Sequence, residues 1–240
     1  MKENAKMQNQ AEQKKERRRE ERLQREAQTQ AAERARRLRT RIFGAVGAGV
    51  VLLLALFAIS NSGGGSSAKT GGKYPYAVGQ PGPGQPAAPI SLPSTQGGQF
   101  SLAAERGKTV LLYFQEGLSC QPCWDQLSDL ERQGSKVRAL GIDRMISITT
   151  DELGQIRQKA ADEGLNTPIL SDSNLAVSKA YGANQFGMMG DSRDGHSFII
   201  IGPDGRVRWR ADYGGAPNYT MYVPVTRLLS DMRKGLRSGA

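Results

Sequence analysis

Residues Val110–Trp124 read VLLYFQEGLSCQPCW, and this stretch decides the fold. The unbroken apolar run Val110–Phe114 has the length and composition of a buried strand. A short polar loop follows. Then Cys120-Gln121-Pro122-Cys123 opens a segment in which Trp124, Leu127 and Leu130 recur at helical spacing. These are the only two cysteines in the chain. At a helix start the free amides and the macrodipole favour a thiolate, and Pro122 suits a first helical turn. Two thiols so placed point to reversible dithiol/disulfide chemistry. As a structural staple the pair would be poor, because so short a loop contributes only about 2 kcal/mol. As a structural zinc site it lacks a second pair of ligands, since the chain adds only one His.

Downstream and upstream of this stretch the pattern is that of an α/β domain. Ile90–Leu92 and Phe100–Leu102 flank Gly97-Gly98, which predicts a hairpin. Met145–Ile148 predicts a second central strand, followed by a helix with Asp151 as its N-cap. Thr167–Leu170 reads as a short strand and Leu175–Tyr181 as a short helix. Ser197–Ile201 turns through Gly202-Pro203-Asp204-Gly205 into Val207–Arg210, an antiparallel hairpin. Val223–Leu236 closes the chain as an amphipathic helix. Strands alternating with helices and ending in a hairpin predict a central mixed sheet flanked by helices.

The net charge of +10 is mostly a property of the N-terminus: residues 1–41 carry 14 Lys/Arg against 7 Asp/Glu. The remainder is nearly balanced, which argues against nucleic-acid binding by the domain. Residues 1–41 read as a charged, helix-prone tail without a continuous apolar stripe. Ile42–Ile59 is an uncharged run of 18 residues, long enough to cross a hydrocarbon core as a helix. Arg34, Arg36, Arg37, Arg39 and Arg41 precede it, so the positive-inside rule puts the N-terminus in the cytoplasm. A stretch of 41 residues before the apolar run is far longer than the start of a cleaved signal peptide. The expected organisation is a cytoplasmic tail at 1–41, a transmembrane signal-anchor helix at 42–60, a Gly/Ser/Pro-rich linker at 61–88 and a redox domain at 89–240. The domain is expected on the extracytoplasmic side, where disulfides persist.

In order along the chain, GKTVLLYFQEGLSCQPC, MISITTDE, TPILSD, LAVSKAYGA and SFIIIGPDGRVRW resemble the peroxiredoxin-like (AhpC/TSA, redoxin) branch of the thioredoxin superfamily. The resemblance implies a thioredoxin-like fold, with the active cysteines between the first central strand and its helix. It also carries departures. The branch's Pro-x-x-x-Thr-x-x-Cys falls on Glu116, Cys120 and Cys123, so only the last Cys matches. The family's activating Arg falls on Gly195. The resemblance thus implies a thiol–disulfide oxidoreductase in which Cys120 attacks and Cys123 resolves, and the apolar span before the domain makes the expected protein membrane-anchored. Thiol peroxidase activity is the alternative. No cofactor is implied. The expected partners are protein thiol or disulfide substrates and a membrane or extracytoplasmic redox partner.

Five further residues are candidates for supporting the pair. Glu116 precedes it as a proton acceptor or a solvated loop carboxylate, and Pro122 shapes the first turn. Trp124 reads as a core or groove-wall aromatic. His196, the only histidine, is a charge partner for the Cys120 thiolate. Arg193 is the candidate for the missing donor. A copper-delivery reading of the Sco type, in the same fold, would instead use Cys120, Cys123 and His196 as metal ligands, with Met188 or Met189.

Overall fold

The computed structural model describes residues 73–238. The charged tail, the apolar span and the first part of the linker lie outside the described residues. Among those described, no helix is long and apolar enough to cross a membrane.

The run that opened the analysis forms the middle of the sheet. Strand β3 (Val110–Phe114) is buried at all of its positions because it has neighbours on both sides and layers on both faces. A short hairpin precedes it, β1 (Ser91–Pro93) with β2 (Gln99–Ser101), as the Gly97-Gly98 turn predicts. After β3 come helix α1 (Gln121–Arg132), a short helix α2 (Gly134–Arg138) and strand β4 (Arg144–Thr149). Helix α3 (Leu153–Asp162), strand β5 (Ile169–Ser171) and helix α4 (Ala176–Ala180) follow. Strands β6 (Ser197–Ile201) and β7 (Val207–Asp212) form the late hairpin, and α5 (Val225–Ser238) closes the chain.

The five-stranded sheet runs β5-β4-β3-β6-β7. Strands β3, β4 and β5 are parallel, β6 runs antiparallel to β3, and β7 runs antiparallel to β6. Leu127 and Leu130 of α1, Ile156 of α3 and Leu228 and Met232 of α5 cover one face, around Leu111, Tyr113, Phe198 and Ile200. On the other face Val177 of α4, Tyr181 after it, and Ile90 and Leu92 of the hairpin region cover Leu112, Phe114, Ile146, Ile148 and Ile199.

Two expectations need correction, and one element is additional to the sequence reading. The linker does not extend to residue 88: Ala77 bridges to Asp212 and Pro86 to Arg206 on β7 and its turn, and Tyr76 packs edge-on against Trp209 and Tyr213. The domain therefore begins well before residue 89, because this Pro/Gly segment docks through its main chain. Asp151 is not a helix N-cap, since Glu152 stands there without a capping side-chain bond and Asp151 is turned toward the cysteine loop. The short helix α2 has no counterpart in the sequence reading.

Candidate active site

The carboxyl end of β3 leads through a 3-10 turn, Gly117–Ser119, into α1. Cys120 is the N-cap of α1, and its sulfur accepts the Cys123 N–H at 3.3 Å. Pro122 lies in the first turn, where its missing N–H costs nothing. Cys120 and Cys123 are joined as a disulfide with their Cα atoms 5.3 Å apart. Helix α1 is wound from its first turn with the bond in place. Cys120 retains 5% exposure and Cys123 none.

The turn before the cysteines is fixed from three sides. Asp151 accepts the Leu118 N–H at 2.7 Å and the Thr149 hydroxyl at 3.0 Å. Arg193 donates to the other Asp151 oxygen at 2.7 Å and to the Glu116 carbonyl at 3.1 Å. The indole N–H of Trp124 donates to the Gly117 carbonyl at 3.0 Å. Gly117 has φ +79°, and a Cβ there would overlap the Asp151 carboxylate and the Thr149 hydroxyl, so no other residue fits.

The candidate residues are accordingly dispersed in role. Trp124 is fully buried and acts as a strut of the turn, with Lys159 over its ring. Glu116 is buried as well. Its side chain accepts the Met188 N–H, which ties it to the loop opposite and makes it no solvated carboxylate. Arg193 holds the cysteine loop by its main chain and by Asp151. The family's arginine position is closed to a side chain, since a Cβ on Gly195 would overlap the Phe186 carbonyl.

His196 reaches the site indirectly. It is fully buried, and its Nδ1 lies 3.0 Å from the Tyr113 hydroxyl, which contacts the Cys123 carbonyl at 3.2 Å. Burial holds the imidazole neutral, its pKa lowered to about 3. An ion pair between imidazolium and the Cys120 thiolate is thus not formed at neutral pH. The copper ligand set is not assembled either. Among the described residues no three His, Cys, Asp or Glu side chains converge on one point, and Met188 and Met189 are exposed.

Sequence reasoning missed Tyr113, which reads as one more core aromatic of β3, and Asp151, which reads as a cap. It also missed Asp194. That carboxyl is fully buried, and the Ser178 hydroxyl beside it is committed to Asp172 at 2.5 Å. Burial, with Asp172 and Asp151 nearby, pushes its pKa well above the carboxylate range.

A CxxC disulfide at the first helical turn after a central strand, in a mixed five-stranded sheet, defines a thioredoxin-like thiol redox protein. The AhpC/TSA family model matches residues 83–210, and the chain belongs to that family. Peroxiredoxin Bcp of Escherichia coli (strain K12) is 30% identical over 127 residues, which cover 52% of this chain and 81% of that protein. The crystal structure of peroxidoxin BcpB from Mycobacterium tuberculosis superposes with a TM-score of 0.53 at 18% identity, covering 64% of this chain and 97% of that one. The reduced 2-Cys peroxiredoxin of Plasmodium vivax gives a TM-score of 0.53 at 18% identity, covering 62% and 79%. These two structural likenesses bear on the fold.

Proposed function

We propose that the chain is a thiol peroxidase that uses Cys120 and Cys123 as its working pair. The observation that carries this reading is the position of Cys120. It caps a helix, its sulfur receives a main-chain N–H, and it is the less buried of the two sulfurs. Those conditions favour a nucleophilic thiolate. The similarity to proteins named peroxiredoxins supports peroxide as the oxidant. The Cys120 thiolate attacks one peroxide oxygen, the O–O bond breaks, and the leaving oxygen takes a proton to depart as water or alcohol. Cys120 is then a sulfenic acid. Cys123 attacks its sulfur, the S–S bond forms, and the hydroxyl leaves as water with the Cys123 proton. An external dithiol reduces the disulfide and is itself oxidised to one. The extracytoplasmic, membrane-anchored setting expected from residues 1–60 belongs to the same proposal, and protease added to intact cells should remove the domain.

Exchange with protein disulfides is the second reading, favoured by Cys120 and Gly195 at positions where the family carries Thr and Arg. Stopped-flow mixing of the reduced chain with hydrogen peroxide, followed by tryptophan fluorescence, separates the two. A second-order rate orders of magnitude above that of a free thiolate supports the peroxidase. A rate near the free thiolate, with Cys123→Ser trapping protein partners as mixed disulfides, supports exchange. Trapping by Cys120→Ser instead would reverse the assigned order and support the alignment with the family's pattern, in which Cys123 attacks and Cys120 resolves.

A further inference from the structure

Behind the disulfide lies a buried polar chain that the steps above do not use. Tyr113, His196 and Cys123 have no exposure, and the Tyr113 hydroxyl sits between the imidazole and the Cys123 carbonyl. The aromatic packing holds both rings. Tyr113 stacks on Phe198 at 4.5 Å with an interplanar angle of 5°, and His196 stands edge-on to both.

The hydroxyl has one proton, so the direction of the chain follows from counting donors. If that proton goes to the Cys123 carbonyl, Nδ1 of His196 carries the ring proton and donates to the tyrosine oxygen. Nε2, which has no partner among the described residues, is then a bare acceptor. The other tautomer would bury an N–H without an acceptor and turn the tyrosine proton away from the carbonyl, leaving that carbonyl only its partner within α1. Orphaned buried donors are the rarer case, so the chain runs from His196 Nδ1–H through Tyr113 O–H to Cys123. The alternative role, a proton acceptor for the Cys123 thiol, conflicts with an imidazole whose pKa is lowered to about 3.

We propose that His196 and Tyr113 are positioning residues: their hydrogen-bond chain holds the Cys123 main chain where the disulfide closes, and so sets the equilibrium between disulfide and dithiol. This rests on the reading of Cys120–Cys123 as a working redox pair, whichever oxidant it meets. On this proposal the bond to the Cys123 carbonyl is stronger with the disulfide closed, the state in which it is seen, so its loss should favour the dithiol.

The test measures the disulfide/dithiol equilibrium of the full chain in glutathione buffers by thiol alkylation. Tyr113→Phe removes one oxygen and leaves the stacking. It should shift the equilibrium toward the dithiol about three- to tenfold, a tenfold shift being about 30 mV. His196→Leu should match it, and the double variant should go no further than either single one. His196→Asn, which can present an amide N–H to the tyrosine oxygen, should stay within about twofold of the native chain. Should His196→Leu not fold, Tyr113→Phe decides. An unchanged equilibrium in Tyr113→Phe, with oxidised and reduced forms losing equal thermal stability, would overturn the proposal. A native pair that fails to exchange with glutathione at all would overturn the redox reading beneath it, a distinguishable failure.

Discussion

The two faces of the sheet are cut from the same strands and do different work. In β3, Val110, Leu112 and Phe114 point one way and Leu111 and Tyr113 the other, and β6 divides Ile199 and Ile201 from Phe198 and Ile200 in the same manner. The first face is mainly aliphatic and rests against the hairpin and α4. The second gathers Tyr113, Phe198, Tyr213 and Trp124 around His196 and the cysteines. Apolar burial stabilises both, but only the aromatic face carries directional bonds to the site. The difference teaches that a one-residue alternation is enough to separate fold from chemistry within one strand.

The comparison can be broken first by acid. His196 sits on the aromatic face with a folded pKa near 3, while the unfolded chain titrates near 6.5. Between those values the unfolded state binds a proton that the native state refuses. Stability therefore rises with pH across this window and falls as pH drops from about 6.5 toward 3, by on the order of 5 kcal/mol. Urea unfolding of His196→Asn should lose this part of the acid slope. An unchanged slope would mean that the imidazole is charged or solvated in the native chain.

A cut into the aliphatic face should be smaller in free energy and silent at the site. Leu112→Ala removes a fully buried side chain and should cost about 3 kcal/mol of stability. The glutathione equilibrium of the cysteines should stay within about twofold of the native value, well inside the three- to tenfold shift expected when one buried hydrogen bond is lost. A larger shift would show that the two faces are coupled.

The smallest effect sharpens the contrast. Trp124→Phe keeps most of the ring but deletes the bond from its indole N–H to the Gly117 carbonyl. Stability should fall by about 1 kcal/mol, and Cys120 should alkylate at a changed rate because its turn has lost a strut. Equal alkylation rates at matched pH would place Trp124 among the packing residues alone.

The aliphatic face was the more legible in sequence. Apolar runs such as VLLYF and SFIII announce strands whatever their neighbours, and the CxxC marks a helix start by its own chemistry. What stayed hidden depends on groups without a pattern. Asp151 has the composition of a cap, and only the fold reveals that the Leu118 amide and Arg193 share its carboxylate, one on each oxygen. His196 was found by position, but its charge state follows from burial that no local spacing encodes. Residues 77–87 read as a linker because a Pro/Gly stretch suggests an extended spacer, yet their attachment runs through main-chain bonds such as Gly84 to Val207 and Ala87 to Gly205. Side-chain patterns are blind to those. The Arg-to-Gly departure at Gly195 was visible, whereas its reason, the approach of the Phe186 carbonyl, was not.

That docked segment has a consequence for self-association. On β7 the main chain of residues 77–87 occupies positions that would otherwise offer free amides and carbonyls, and at the opposite margin Ser94 bridges to Leu170 while the Thr95 N–H donates to the Ile169 carbonyl on β5. A single stretch upstream of β3 thus hems both borders of the sheet. Open borders are templates on which another chain can add as a strand and seed aggregates. Here the protein supplies its own selvedge, so neighbouring copies crowded together would have to meet through helices and loops rather than by extending the sheet.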